Sequence, residues 1–175
     1  MKLKQLIGIA AVGLYMMACT PPPPPPPAIN NADDANIKLV KNYVTAVESM
    51  DYKAMGDFLD DNYIGIGPSY GDTTNKEMAV RNWRWNLIKL YESIKYNKSK
   101  FAPVTITEGD NKGEWVANWA ELTIVYKDNM GSVIIWANTN YLVENGKILR
   151  SITFYNEADA IRQLYSETSW GKDVQ

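Results

Sequence analysis

No histidine occurs in the 175 residues, and the chain has one cysteine, Cys19, against 20 acidic side chains and 11 tyrosines. The imidazole is the side chain that most often moves protons or binds zinc near neutral pH. Its absence excludes histidine-based hydrolysis, zinc enzymes, two-histidine iron oxygenases and histidine-ligated haem. What survives is carboxylate, tyrosine or lysine chemistry, or binding without chemistry, and no metal or cofactor is expected. Among the carboxylates, Asp60 and Asp61 follow a short predicted helix and read as solvated. Glu121 lies inside a predicted strand, where it shares a face with Trp115, Trp119 and Thr123, while Val116, Asn118, Ala120, Leu122 and Ile124 make the more apolar face. Alternation therefore puts Glu121 on the outer side of the sheet, as an exposed or interface carboxylate.

Cys19 closes a segment laid out like a secretory signal: basic Lys2 and Lys4, an apolar stretch from Leu6 to about Met17, and small Ala18 before the thiol. The stretch is too short to span a bilayer. Met16-Met17-Ala18-Cys19 resembles a bacterial lipobox, which implies cleavage before Cys19 and a diacylglyceryl group on its sulfur. Residues 1–18 are then a signal peptide, and the acylated Cys19 is a tether to the lipid bilayer. Thr20, where an aspartate would retain a lipoprotein at the inner membrane, implies the outer membrane, with the domain facing the periplasm or the surface. Consecutive prolines lack a backbone donor and hold φ near its polyproline value, so Pro21 to Pro27 predict a stiff spacer of about 20 Å. Residues 19–35 together read as lipidated cysteine, spacer and flexible acidic linker. Roughly 157 residues remain after cleavage, enough for one domain. The formal charge moves from −2 to about −4, so no basic field attracts nucleic acid.

The remaining residues must position whatever site exists. Ile37, Val40, Val44 and Val47 recur at helical spacing, with Tyr43 on the same flank. Asp51 is placed to cap a second helix through Ala54, Met55, Phe58 and Leu59, ending near Asp60 and Asp61. Tyr63 to Ile66 predicts a strand, and Gly65, Gly67, Pro68, Gly71 and Asp72 a loop. Thr74 and Glu77 have capping-box spacing ahead of a third helix through Met78, Trp83, Trp85, Leu87 and Leu90. That spacing lets one of Trp83 and Trp85 face the core and sends the other to the mouth or to a neighbour. From there the pattern is β: Phe101 to Thr107, Trp115 to Tyr126, Val133 to Val143 and Ile148 to Tyr155, with turn chemistry in each gap. Asn145-Gly146 supplies both positive φ values of a type I′ hairpin. A final helix is predicted from about Glu157 to Tyr165.

This order and its intervals, with Glu144-Asn145-Gly146-Lys147-Ile148 and Tyr155-Asn156 near the end, resemble the NTF2-like superfamily, in particular its SnoaL-like and steroid-isomerase-like branches. The resemblance implies an α+β cone over residues 36–166, a curved antiparallel sheet wrapped around three N-terminal helices, followed by a tail over 167–175. In the isomerase branch a carboxylate base works with two acidic donors on one carbonyl oxygen. By that resemblance Tyr43 falls on the first donor, Asn138 on the second, and Gly67, beside Pro68, on the base. Gly67 accepts no proton, so Asp61 and Asp72 are the nearest substitutes.

The expected pocket collects Tyr43, Tyr63, Asn118, Trp136, Asn138, Ser151 and Tyr155, an aromatic lining with neutral polar groups that suits an uncharged or weakly polar small molecule. Trp115 and Trp119 are expected as an exposed outer patch for a homodimer or another protein partner. The reading is a membrane-anchored module that binds a small ligand or a partner without turnover. Two alternatives stand beside it. One is a SnoaL-like or isomerase-like enzyme using Asp61 with Tyr43 and Asn138; the other is an envelope scaffold whose cone is filled by its own side chains.

Overall fold

The computed structural model describes residues 31–167. Cys19, the signal segment, the proline run and the tail from 168 onward lie outside the described residues. Helix α1 (Asn31–Glu48) begins five residues before the expected Asn36, because Asp33 and Asp34 sit in its first turn, where carboxylates favour the helix dipole. Their acidity had read as linker.

Asp51 ends one helix and starts the next. Met50 takes φ 58°, and its N–H donates to the Val47 carbonyl at 2.9 Å while Asp51 N–H donates to Ala46 at 3.0 Å. This is a Schellman closure without glycine. Asp51 Oδ1 then accepts from the N–H groups of Lys53 and Ala54 at the start of α2 (Tyr52–Phe58). Such a cap contributes about 1 kcal/mol. The helix stops at Phe58, and the chain becomes strand β1 (Leu59–Ile66) at once, earlier than Tyr63.

A three-residue strand, β2 (Thr73–Asn75), pairs antiparallel with β1 and places Thr74 opposite Gly65. The third helix begins at Lys76, one residue later than a Thr74 cap requires. Asn75 caps it instead, its Oδ1 accepting from Met78 N–H at 2.9 Å at the start of α3 (Lys76–Lys89).

Strand β3 (Tyr91–Ile106) begins ten residues before the predicted Phe101. Irregularities between Tyr91 and Ser93 and between Asn97 and Lys100, with Lys98 at φ 51°, interrupt the alternation that sequence reading relies on. Strands β4 (Gly113–Tyr126), β5 (Ser132–Glu144) and β6 (Lys147–Tyr155) match their predicted ranges closely. Asn145 and Gly146 have φ 49° and 72°, as a type I′ turn requires. Helix α4 (Glu157–Glu167) follows.

The sheet order is β2-β1-β6-β5-β4-β3. Strands β3 to β6 form the expected antiparallel meander, while β1 adds to β6 in parallel, which makes the sheet mixed. Bulges in β3 and between Leu142 and Val143 bend it around α1 and α3. Val40, Val47, Met55, Val116 and Ile148 are the sealed end of the resulting cone, each at most 1% exposed. No helix among the described residues is long and apolar enough to cross a membrane.

Candidate functional site

The inner face of the sheet is set by cross-strand register. Leu122 pairs with Ile135, Ala120 with Ala137, Asn118 with Thr139 and Val116 with Tyr141; β6 continues the row, Ala137 facing Tyr155 and Tyr141 facing Ser151. Paired residues share a face. The odd-numbered residues of β5, and beyond the bulge Ser151, Thr153 and Tyr155 of β6, therefore look inward with the even-numbered residues of β4. Between this face and the helices lies a cavity of about 410 Å³.

Tyr43, Tyr63, Ser151 and Tyr155 line it. Trp136 and Asn138 do not, because they occupy the opposite face: Trp136 pairs with Glu121 and is 65% exposed, and Asn138 pairs with Trp119 and donates to the Asn118 carbonyl. The resemblance put Asn138 on the second donor, but the register places Thr139 inside, and one residue reverses the face. Asn118 points inward but is sealed beside the β3 bulge, its amide donating to Ser99 Oγ at 2.7 Å and to the Lys100 carbonyl at 3.1 Å. Trp115 is also corrected. It lies on the outer face with Trp119, yet it is buried, its indole N–H donating to the Asn111 carbonyl at 2.7 Å.

The sequence reading did not single out Tyr91, Tyr96, Tyr126 and Tyr141, so the cavity has seven tyrosines rather than three. Trp83 lines it as well, and Trp85 is the exposed member of that pair. Tyr63 Oη and Ser151 Oγ are 2.6 Å apart. Their approach depends on Gly65, since a Cβ there would fall 2.6 Å from Tyr63 Oη and 2.7 Å from Thr74 Oγ1. Tyr43 packs edge-on to Tyr141 at 5.7 Å. Burial pushes both hydroxyls well above the ordinary tyrosine value, with neighbouring tyrosines adding to the effect. Tyr96 is pushed up to about 12, by burial first and then by the Glu48 carboxylate. These phenols remain neutral hydrogen-bonding groups throughout the physiological range.

Of the carboxylates among the described residues, only Glu157 lines the cavity. It is exposed, at the rim, and Ser69 Oγ donates to its Oε2 at 2.5 Å. Asp61 is not part of the cavity. Its exposed carboxylate faces a separate surface depression with Tyr52, Lys76 and Arg84. Lys76 Nζ donates to Asp61 Oδ1 at 2.8 Å, and that bond, with the ammonium charge, holds the carboxyl below its usual range. A base needs access to the substrate and a raised pKa, and Asp61 has neither. Gly67 is instructive in a different way, because a Cβ on it would fall 1.9 Å from Asp72 Oδ2. The Asp72 carboxylate occupies the space of the side chain that Gly67 lacks. Among the described residues no group of three or more Cys, Asp or Glu is placed to hold a metal ion.

No protein-family model matches the chain, and no curated protein does. Solved structures do. An epoxide hydrolase of the LEH-like type from M. tuberculosis superposes with a TM-score of 0.59 at 12% identity, over 78% of this chain and 93% of that one. An NTF2-like protein from Burkholderia xenovorans gives 0.59 at 16%, over 75% and 97%. A protein of ketosteroid isomerase-like fold from Catenulispora acidiphila, in complex with trimethylamine, gives 0.56 at 12%, over 72% and 91%. Identities this low establish architecture and leave activity open. With four helices and a curved six-stranded sheet around an open cavity among the described residues, the chain has the NTF2-like α+β cone fold.

Proposed function

We propose that this is a membrane-anchored NTF2-like module whose cavity binds a small ligand with an apolar or weakly polar body, without turning it over. The observation that carries the reading is the lining: neutral tyrosines, Trp83 and aliphatic side chains around about 410 Å³, with a carboxylate only at the rim. Such a wall desolvates an uncharged body and satisfies its few polar atoms by hydroxyl contacts. Ala137, which lines the cavity between larger residues, offers the test. Ala137→Trp fills the space, so small molecules that co-purify with the wild-type protein, identified by mass spectrometry, are absent from the variant. Equal recovery from both would place the ligand elsewhere.

Asp72 supports a second reading. Its carboxylate stands beside Gly67, where the resemblance places a base, although it does not line the cavity; an isomerase-like enzyme would need it to reach the ligand from there. The same mass spectra separate the two: a single unaltered compound fits binding, and an isomeric pair fits turnover.

The tether belongs to the proposal too. Acylation of Cys19 would hold the domain at the outer membrane, and Cys19→Ser moves the protein to the soluble fraction; retention in the membrane fraction would remove the lipid. On the outer sheet face, Trp119, Trp136 and Phe154 are exposed by 46%, 65% and 55%. This patch, rather than Trp115, supports docking of a second copy or another protein. The exposed patch also serves the scaffold alternative, but an open cavity does not fit a filled cone.

A further inference from the structure

We propose that the ligand carries a positive charge at the cavity rim: an organic ammonium set against the rings of Tyr91, Tyr126 and Tyr155, with the Glu157 carboxylate as its counter-ion. The inference rests on the cavity being the ligand site and adds the sign and position of the ligand's charge. Three observations lead to it.

First, among the described residues no lysine or arginine lines the cavity, and its only carboxylate is Glu157. An anionic ligand would pass a negative charge on entry and meet no cation inside, whereas an ammonium finds its partner at the rim and leaves the apolar interior to its body. Lys127, the neighbour of Tyr126 in β4, is occupied elsewhere: its Nζ donates to the carbonyls of Leu87 and Ile88 at the end of α3.

Second, the rim is aromatic. Tyr91 and Tyr126 meet edge to face with centroids 5.4 Å apart and planes at 78°, so they make two walls of a corner. Tyr155 and Glu157 line the same cavity, and after burial the Glu157 carboxylate raises the Tyr155 phenol further. The three rings are half-buried, and a ring face at such a site attracts a cation that has shed part of its hydration.

Third, Glu157 is already oriented. Ser69 holds Oε2, and Oε1 has no hydrogen-bond partner among the described residues. Burial and the nearby carboxylates Glu157 and Asp72 keep the Tyr155 phenol neutral. The rim therefore has one sign of charge.

Three probes of matched shape test this by calorimetric titration of the purified protein: benzyltrimethylammonium, its neutral carbon isostere neopentylbenzene, and benzylsulfonate. The cation is expected to bind about tenfold tighter than the neutral isostere, the combined effect of ring faces and one partly exposed ion pair. Glu157→Gln should weaken the cation about fivefold and leave the isostere unchanged. Tyr155→Leu should lower the preference for the cation and Tyr155→Phe should keep it, which covers the case in which one variant is misfolded. Equal binding of cation and isostere, or preference for the sulfonate, overturns the charge assignment and leaves the cavity reading intact. No binding of any probe overturns both. A cation preference that survives Glu157→Gln unchanged removes Glu157 as the counter-ion.

Discussion

Raised from pH 9 through pH 12, the protein is expected to unfold in one cooperative step, with its cavity tyrosines ionising together with the loss of structure rather than before it. In the unfolded chain these phenols titrate near 10. In the folded state burial raises Tyr43, Tyr63, Tyr91, Tyr96 and Tyr141. A group whose folded pKa is raised contributes stability that is fully present below the unfolded value and is lost as pH rises toward the folded one. Tyr96, pushed up to about 12, alone removes about 2 kcal/mol across that window. A domain of this size has about 5–15 kcal/mol in total, so a few such groups suffice to unfold it. Circular dichroism and tyrosinate absorbance followed together check the result, and their transitions should coincide. Gradual ionisation centred on 10 with the dichroism unchanged would mean that the hydroxyls are wet and the cavity wall is not as described. Acidification offers a weaker lever among the described residues: Asp61 and Asp159 are held low by Lys76 and Arg162, but Asp61 is exposed and Asp159 only partly covered, and solvent screening leaves such pairs little influence on folding.

The tyrosine wall also marks where sequence reading stopped. Local signals were legible: the Asp51 cap, the Asn145-Gly146 turn and the ranges of β4, β5 and β6 follow from backbone chemistry within a few residues. Within β4 the alternation also gave the right faces, with Glu121 and Trp119 outside and Leu122 and Ile124 inside. The phase between strands was not legible. Both Asn138 and Thr139 could serve as an inward polar group on sequence grounds, and only the pairing of Thr139 with Asn118 decides between them. Tyr91 and Tyr96 were missed because irregularities at Tyr91–Ser93 and Asn97–Lys100 break the alternation of β3 around them. Trp115 shows a further limit, since alternation gives a face and says nothing of what folds over it; here the β3–β4 turn accepts its indole N–H.

Gly65 tests whether the cavity floor is built as the geometry indicates. In β1 the Tyr63 ring leans over the next inward position, and its hydroxyl reaches Ser151 Oγ at 2.6 Å only because residue 65 has no side chain. A Cβ there would lie 2.6 Å from Tyr63 Oη and 2.7 Å from Thr74 Oγ1, closer than atoms tolerate. Gly65→Ala must therefore push the tyrosine away and leave the Tyr63 and Ser151 hydroxyls without each other. Overpacking plus one lost buried hydrogen bond should cost about 2–3 kcal/mol in chemical denaturation. Tyr63→Phe alone should cost about 1 kcal/mol, since only the hydrogen bond is lost. In the double variant the atom that clashes is already gone, so the total should fall short of the sum by about 1 kcal/mol. Simple additivity would mean that Gly65 makes room for something other than the Tyr63 hydroxyl, and the Tyr63–Ser151 contact would then not depend on it.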